Sequence, residues 1–366
     1  MNLGRGWRAQ RFPSTSPLAA IAARVVAIAL ALVCGGIVLA LTGADAPALG
    51  LQVLRGTFGS TFGLEDLGLL ITPLILTGLA VAVGLRMGLW NIGAEGQFMA
   101  GALATTAVGI FITGPTPVML VAMFLAGIAG GMLWILIPAL ARAYASVNEL
   151  ITTLLLNFVA GLLVFYVSTG PWRDRESNML ASTPRIPYDI PELYGLVHWG
   201  FALAIVIALL TAAVLAYTRW GYEVRISGAN PNLAAYAGLA QRKHIIAVML
   251  LSGAIAGIAG MFEMAGTAHR LQGGISNNYG YLGIMVAVLA RGSCIGVLAA
   301  AALMAVILSA GTILQTHGVT NSAVLALTGL ILFFTAIGDE LAHYRLVRTG
   351  AEAARRPEKS PAAEAA

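Results

Sequence analysis

Long apolar runs alternate with short polar, Gly-rich or basic stretches along nearly the whole chain. An α-helix of about 20 apolar residues matches the hydrocarbon thickness of a bilayer. Eight runs read as clear spans near that length or somewhat short of it: Ala19–Leu41, Leu67–Gly84, Val118–Leu140, Leu150–Val167, Trp199–Tyr217, Ile245–Met264, Gly296–Leu314 and Ala323–Ile337. Two shorter runs are ambiguous. Phe98–Phe111 follows the polar, Gly-rich GLWNIGAEGQ, and Tyr281–Ala290 follows QGGISNNYG. If both cross, the chain has about ten spans; if both are re-entrant it has eight. Either even count leaves the two termini on the same side. The pattern predicts an all-α polytopic membrane protein, with a terminal segment at 1–18, a transmembrane domain at 19–340 and a tail at 341–366.

Composition agrees: 58% of residues are hydrophobic, 10% are charged and the mean hydropathy is +0.85, whereas soluble domains carry about 25% charge. The basic balance, with a pI near 9.4, does not point to nucleic acid, because the charges sit in short loops and tails. They fix topology instead. With the N-terminus inside, only Arg55, Arg173, Arg175, Arg185 and Arg270 lie outside, out of 21 Lys and Arg. That asymmetry follows the positive-inside rule and predicts both termini in the cytoplasm. Arg5, Arg8 and Arg11 precede the first run, and Ala44-Asp45-Ala46 resembles a cleavage site. The run nevertheless exceeds the roughly 7–15 residues of a signal-peptide core, so it reads as the first span. Cys34 and Cys294 lie in apolar surroundings without CxxC or His spacing and read as small core residues; no metal-ligand set is present.

One cytoplasmic stretch, 218–244, stands apart. Within it, Gly221–Lys243 reads GYEVRISGANPNLAAYAGLAQRK. Asn230 suits an N-cap, Pro231 the first helical position and Gly238 the residue past the helix end. The short helix between them is rich in Ala and Tyr, suited to a partner's groove. The extracytoplasmic loop at 168–198, rich in Pro and charge, is long enough for capping or docking but otherwise reads as a solvated connector. The tail after Arg348 has the composition of disorder.

The chemistry for ATP hydrolysis is missing. A phosphate-binding loop needs GxxxxGK followed by Ser or Thr. The chain's lysines are Lys243, after Arg242, and Lys359, in the tail. HExxH and GxSxG are also absent. Any ATPase would therefore be a separate polypeptide. Polar groups within spans mark either a pathway or helix–helix bonding. Three clusters qualify: Asn91, Glu95 and Gln97 in NIGAEGQ; Asn148, Glu149, Thr152, Thr153 and Asn157 in VNELITTLLLN; and Glu263, His269 and Arg270. The glycines around Glu95 suit a broken helix whose freed backbone faces a cavity. Asn91, Glu95, Gln97, Asn157 and Glu263 are the candidate pathway residues, with interhelical bonding as the competing role.

These segments also carry a resemblance. GLWNIGAEGQFMAGALA, VNELITTLLLNFVAG, GPWRD, ANPNLAAYAG, LSGAIAGIAGMFEMAG and YGYLGIMVAVLARG occur in the order found in permease subunits of bacterial ABC importers. The similarity, spanning about residues 65–340, is to the simple-sugar/nucleoside branch of the branched-chain amino acid/ribose permease family. It implies a type II ABC importer permease fold in the cytoplasmic (inner) membrane. It also implies a second permease subunit, cytoplasmic ABC ATPases that bind ATP and Mg, and an extracytoplasmic substrate-binding lipoprotein; no cofactor is expected on this chain itself. In that family the cytoplasmic helix is the coupling helix that rests on the ATPase. The matching positions here are Gly228, Asn230, Pro231, Ala234, Ala235, Tyr236 and Gly238. NIGAEGQ and GPWRD resemble nucleoside more than ribose permeases. The chain departs from the family pattern at Arg291-Gly292-Ser293-Cys294, where many relatives carry a Pro-containing turn.

Two other classes remain. A stand-alone gradient-driven secondary transporter would leave the helix at 231–238 without a task. A membrane scaffold or receptor would show no dependence on Glu95, Asn157 or Glu263.

Overall fold

The computed structural model of the protein describes residues 7–11, 17–41, 43–176 and 181–348. Arg5 and the tail beyond Arg348 lie outside the described residues. In chain order the elements are β1 (Trp7–Arg11), α1 (Pro17–Leu41), α2 (Ala46–Phe58), α3 (Thr61–Leu85), α4 (Ala94–Phe111), α5 (Thr116–Ala145), α6 (Glu149–Thr169), β2 (Glu192–Tyr194), β3 (Val197–His198), α7 (Gly200–Tyr217), α8 (Arg219–Ala229), α9 (Pro231–Tyr236), α10 (Gln241–Glu263), α11 (Tyr279–Leu289), α12 (Gly296–Thr316), α13 (Asn321–Leu341) and β4 (Tyr344–Arg348). A π-helical turn, Met264–Ala268, extends α10.

Each of the ten predicted apolar segments falls on a helix, to within one residue at its ends. Among the described residues, six helices are long and apolar enough to cross a membrane: α3, α5, α6, α7, α10 with its π-turn, and α12. Helix α4 begins four residues before the predicted apolar run, so Glu95 and Gln97 lie inside its first turn. Helix α11 has 11 residues, about 16 Å at 1.5 Å per residue, well short of a bilayer core on its own. Two helices were not anticipated. Helix α2 carries Gln52 and Arg55 in a mixed sequence, and α8 occupies the part of the basic island expected to be a loop.

The chain forms two units. In the one built from its two ends, α1 packs along α13, and β1 pairs antiparallel with β4, Trp7 opposite Arg348 and Arg11 opposite Tyr344. The other, Leu51–Thr316, is organised on α10, which packs against α5, α4 and α3. Small residues allow this. A Cβ on Gly253 would lie 2.6 Å from the Gly131 carbonyl oxygen, and one on Gly257 would overlap the Gly127 carbonyl. Helix backbones pack this closely in membranes because lipid gives no hydrophobic push between helices.

Polarity is inverted relative to a soluble protein. Glu95, Gln97, Asn157 and Ser252 are buried, while Leu133, Ile137, Leu155, Phe158 and Leu162 on α5 and α6 face outward. An apolar exterior around a polar interior suits a hydrocarbon surrounding.

Loop 168–198 is not merely a solvated connector. Thr183 N donates to Leu271 O (3.0 Å), Ile186 N to His269 O (2.8 Å) and Ile190 N to Ala265 O (2.8 Å). Arg270 Nη1 also donates to Asp174 Oδ2 at 2.8 Å. The loop therefore straps the end of α10, with Ile186 fully buried beneath it.

His198, at the end of this strap, is buried, and its Nδ1 accepts from Gly200 N at 3.1 Å. Burial, with His269 nearby as a second cause, pushes its pKa down to about 4. An unfolded strap would bind a proton near pH 6.5, so the stability present above that value is lost as pH falls through about 4. The loss reaches about 3 kcal/mol. Relative to the intrinsic exchange rate, which itself slows on acidification, the protection of amides in residues 181–198 is expected to fall between pH 6.5 and 4, and His198→Asn should flatten that dependence.

Candidate functional site

The break between α3 and α4 is where the candidate pathway residues gather. After Leu85 the chain turns through Gly88 (φ 70°), runs without regular structure over Leu89–Asn91 and turns again at Ile92–Gly93 before α4 begins. This exposes backbone groups that a continuous helix would have paired, and inside a membrane each must find a partner. Asn91 supplies several. Its Nδ2 donates to Gln97 Oε1 (2.9 Å) and Ser252 Oγ (2.7 Å), and its Oδ1 accepts from Gly93 N and Gln97 Nε2, both at 2.9 Å. An Asn side chain has two donors and two acceptor positions, and all four are used. Ser252 Oγ in turn donates to Ala80 O at 2.6 Å. One side chain thus joins α3, α4 and α10.

Asn157 closes the break from α6. Its Oδ1 accepts from Gly96 N (2.9 Å), and its Nδ2 donates to Ile92 O (2.9 Å). Gly96 is required by proximity: a Cβ there would lie 2.9 Å from Asn157 Oδ1 and 2.8 Å from Trp134 Nε1. The predicted polar stripe on α6 is present, with Glu149, Thr153 and Asn157 buried on one face. Asn148 instead caps the helix, accepting from Leu150 N at 2.9 Å.

Glu95 joins the break to the loop before α11. Its carboxylate accepts from Ser276 Oγ and, at 2.8 Å, from Gly280 N. The left-handed residues Gly274, Asn277 and Asn278 turn that loop back toward it. Asn91, Glu95, Gln97 and Asn157 are therefore all buried around the break: Asn91 and Gln97 bond each other, Asn91 and Asn157 bond backbone groups of the break, and Glu95 bonds the loop before α11. Glu263, at the end of α10, stands apart. It is 6% exposed, and among the described residues no donor reaches its carboxylate. His269 and Arg270, grouped with it in sequence, turn away to Asp189 and Asp174.

Removing Asn157 leaves Gly96 N–H and Ile92 C=O unpaired in an apolar setting, each costing about 1–3 kcal/mol. Asn157→Ala is expected to lower the melting temperature of the detergent-purified chain clearly. Asn157→Asp, which keeps the acceptor, should fall between it and the wild type.

A cavity on α4 lies beside these residues. It measures about 320 Å³ between α4 and α5 and is lined by Ala100, Leu103, Ala104, Ala107, Gly130, Leu133, Trp134 and Trp172. None of the five candidate residues lines it. Trp134 escaped the sequence reading because an isolated Trp in an apolar run carries no spacing signal, and Trp172 entered it only as part of GPWRD.

The short helix after Asn230 forms as its punctuation predicts. Asn230 Oδ1 accepts from Asn232 N and Leu233 N, both at 3.1 Å, Pro231 starts α9, and Gly238 is left-handed (φ 74°). Gly228 lies against the end of α3, where a Cβ would lie 2.8 Å from Met87 Cα. Tyr236 is 95% exposed and Leu233 58%. Ala234 is fully buried, so it holds α9 from within while Leu233, Ala235 and Tyr236 face out. Leu233, missed in the sequence, is the i−3 neighbour of Tyr236 on the exposed face. Gln241 Nε2 donates to Pro231 O, and Arg242 stacks over the Tyr144 ring at 5.4 Å, tying the start of α10 to α9 and to the end of α5.

Comparison with known proteins gives one family match and three concordant relatives. Residues 63–336 match the family model described as branched-chain amino acid transport system / permease component. A glucose ABC transporter permease protein of Haloferax volcanii is 35% identical over 337 residues, 88% of each chain. A guanosine ABC transporter permease protein of Bacillus subtilis is 31% identical over 320 residues, covering 85% of this chain and 92% of the relative. A nucleoside ABC transporter permease protein of Lactococcus lactis is 28% identical over 281 residues, covering 72% and 76%.

Proposed function

This chain belongs to the branched-chain amino acid transport system permease family, and we propose that it forms half of the channel of an ATP-driven importer for nucleosides or related simple sugars. The observation that carries the substrate class is its alignment, over most of its length, with permeases named for guanosine, nucleosides and glucose. ATP and Mg belong to a separate cytoplasmic ATPase. An extracytoplasmic binding protein delivers the solute, and a second permease completes the channel. A second Bacillus subtilis guanosine permease protein, 27% identical over 248 residues, supports that pairing.

In this reading ten helices cross or enter the membrane, α11 entering with the loop before it. Antiparallel pairing of β1 with β4 supports both termini lying on one face. Helix α9, with Gly228, Asn230, Pro231, Ala234, Ala235, Tyr236 and Gly238 building it and its flanks, couples to the ATPase. Asn91, Glu95, Gln97 and Asn157 hold the α3–α4 break in its present conformation, and their rearrangement opens the pathway. Glu263 offers unused acceptor capacity for solute hydroxyls. Alternating access then needs only a two-state element biased by ATP.

Uptake of labelled guanosine by cells expressing the chain with its partners tests the substrate class. Competition by excess unlabelled nucleosides, and less by glucose, is expected. Uptake that nucleosides fail to compete would overturn the nucleoside assignment.

A further inference from the structure

A second cavity, of about 160 Å³, lies where the turn between α7 and α8 meets the end of α3 and the turn before α12. That is about five times the ~30 Å³ share of a liquid water. Its polar wall is Arg86, Arg225, Ser293 and Cys294; its apolar wall is Ala212, Leu215, Ala216 and Ile295. Gly221 lets the α7–α8 turn close tightly, since a Cβ there would lie 2.6 Å from Leu215 Cα.

The charges in this cavity are unbalanced. Among the described residues no carboxylate lines it, and none pairs with Arg86 or Arg225. The nearby acids are committed elsewhere: Glu223 lies 3.3 Å from His244, and Glu149 lies 3.2 Å from Arg142. Arg225 reaches the Leu215 carbonyl at 3.5 Å, and Arg86 hydrogen-bonds the Cys294 thiol. Burial raises the pKa of that thiol, so it adds no negative charge. Two guanidinium groups facing one small cavity make a site for an anion with several acceptor oxygens, and phosphate fits their planar donor geometry.

The apolar wall selects the kind of phosphate. Leu209, Ala212 and Ala216 lie at i, i+3 and i+7 on one face of α7, and Leu209 is 47% exposed. Ile295, at the other rim, is 62% exposed. An open apolar track leading away from a cationic pocket suits an acyl chain, which a free phosphate ester would leave unused. We propose that this cavity binds the phosphate headgroup of an anionic phospholipid between Arg86 and Arg225, with an acyl chain along α7. The lipid then acts as a wedge at the point where α8 and α9 join the membrane helices. The proposal draws on the import reading only for which leaflet supplies the lipid, the inner one, where anionic headgroups attract basic segments.

Native mass spectrometry of the delipidated full chain, titrated with dioleoyl phosphatidylglycerol or dioleoyl phosphatidylcholine, tests the site. The wild type is expected to hold phosphatidylglycerol about tenfold more tightly, as one or two charge-assisted contacts allow. R86Q/R225Q should lose that preference. R219Q/K243Q, which removes two charges outside the cavity, should keep it. Glycerol 3-phosphate in equal amount should not displace the lipid. Equal binding of the two lipids, a preference retained by R86Q/R225Q, an equal loss in R219Q/K243Q, or displacement by glycerol 3-phosphate would each overturn the proposal. If the double variant fails to fold, Arg225→Gln alone gives the same readout at smaller amplitude. Sidedness plays no part in detergent, so failure here falls on the cavity and not on the import reading.

Discussion

Tyr236→Asp is expected to reduce ATP-driven uptake more than tenfold while leaving the chain folded. Tyr236 is 95% exposed at the end of α9, so the folded subunit loses almost no packing when it is replaced. The helix is held by other groups: the Asn230 cap, buried Ala234, left-handed Gly238, and the bond from Gln241 to Pro231. In a docked complex, an exposed Tyr on a capped helix is the type of side chain that fills a pocket and dominates the contact, worth about 2 kcal/mol or more. Asp removes that area and places a charge where it must be desolvated, next to the negative end of the helix. A loss of 2 kcal/mol corresponds to about thirtyfold in affinity. Tyr236→Phe should retain most uptake, and Leu233→Asp should mimic the primary variant. An unchanged melting temperature with lost uptake would place the defect in coupling, whereas full uptake in Tyr236→Asp would remove α9 from the coupling role.

Gly257→Val should be the most damaging substitution in the membrane core. A Cβ at this position would overlap the Gly127 carbonyl oxygen and lie 3.1 Å from Gly131 Cα. The clash is with backbone on the facing helix, so no side-chain rotamer relieves it, and α5 and α10 must separate. Overpacking alone costs about 1–3 kcal/mol, and more when backbone must move. Displacement of α10 would also disturb the bonds of Ser252 to Asn91 and Ala80, five residues earlier on the same helix. Collapse of the monodisperse peak in size-exclusion chromatography is the expected outcome. Gly161→Ala is the control, since a Cβ there meets nothing within 4 Å, and it should behave as wild type. A stable, monodisperse Gly257→Val protein would contradict the close α5–α10 packing.

The helices were readable from the sequence because apolar runs at bilayer length leave few alternatives. The short segments were harder for a physical reason. In α4, Glu95 and Gln97 break the apolar pattern but are buried against protein, so hydropathy truncated a helix that begins at Ala94. Helix α8 was missed because GYEVRISGA has no strong apolar stripe, and its Thr218 cap is a lone Thr with no Pro beside it to mark a helix start. The residue types of the candidate site were visible, but their partners were not. Nothing in the chain order says that Asn157 meets Gly96, or that Ser276 and Gly280 meet Glu95, because those contacts span 61 to 185 residues. Likewise, the Asn-Pro start and Gly end fixed α9 in place, while only the fold could turn Ala234 inward and Leu233 outward.

In the proposed import cycle a separate motor drives this chain through α9. Proteoliposomes carrying the chain with its partner permease and binding protein, assayed for guanosine uptake with and without the ATPase subunit, test that claim most directly. Uptake that requires both the ATPase and internal ATP, and that ends with Tyr236→Asp, is the predicted result. Guanosine uptake driven by an ion gradient in vesicles lacking any ATPase would contradict it.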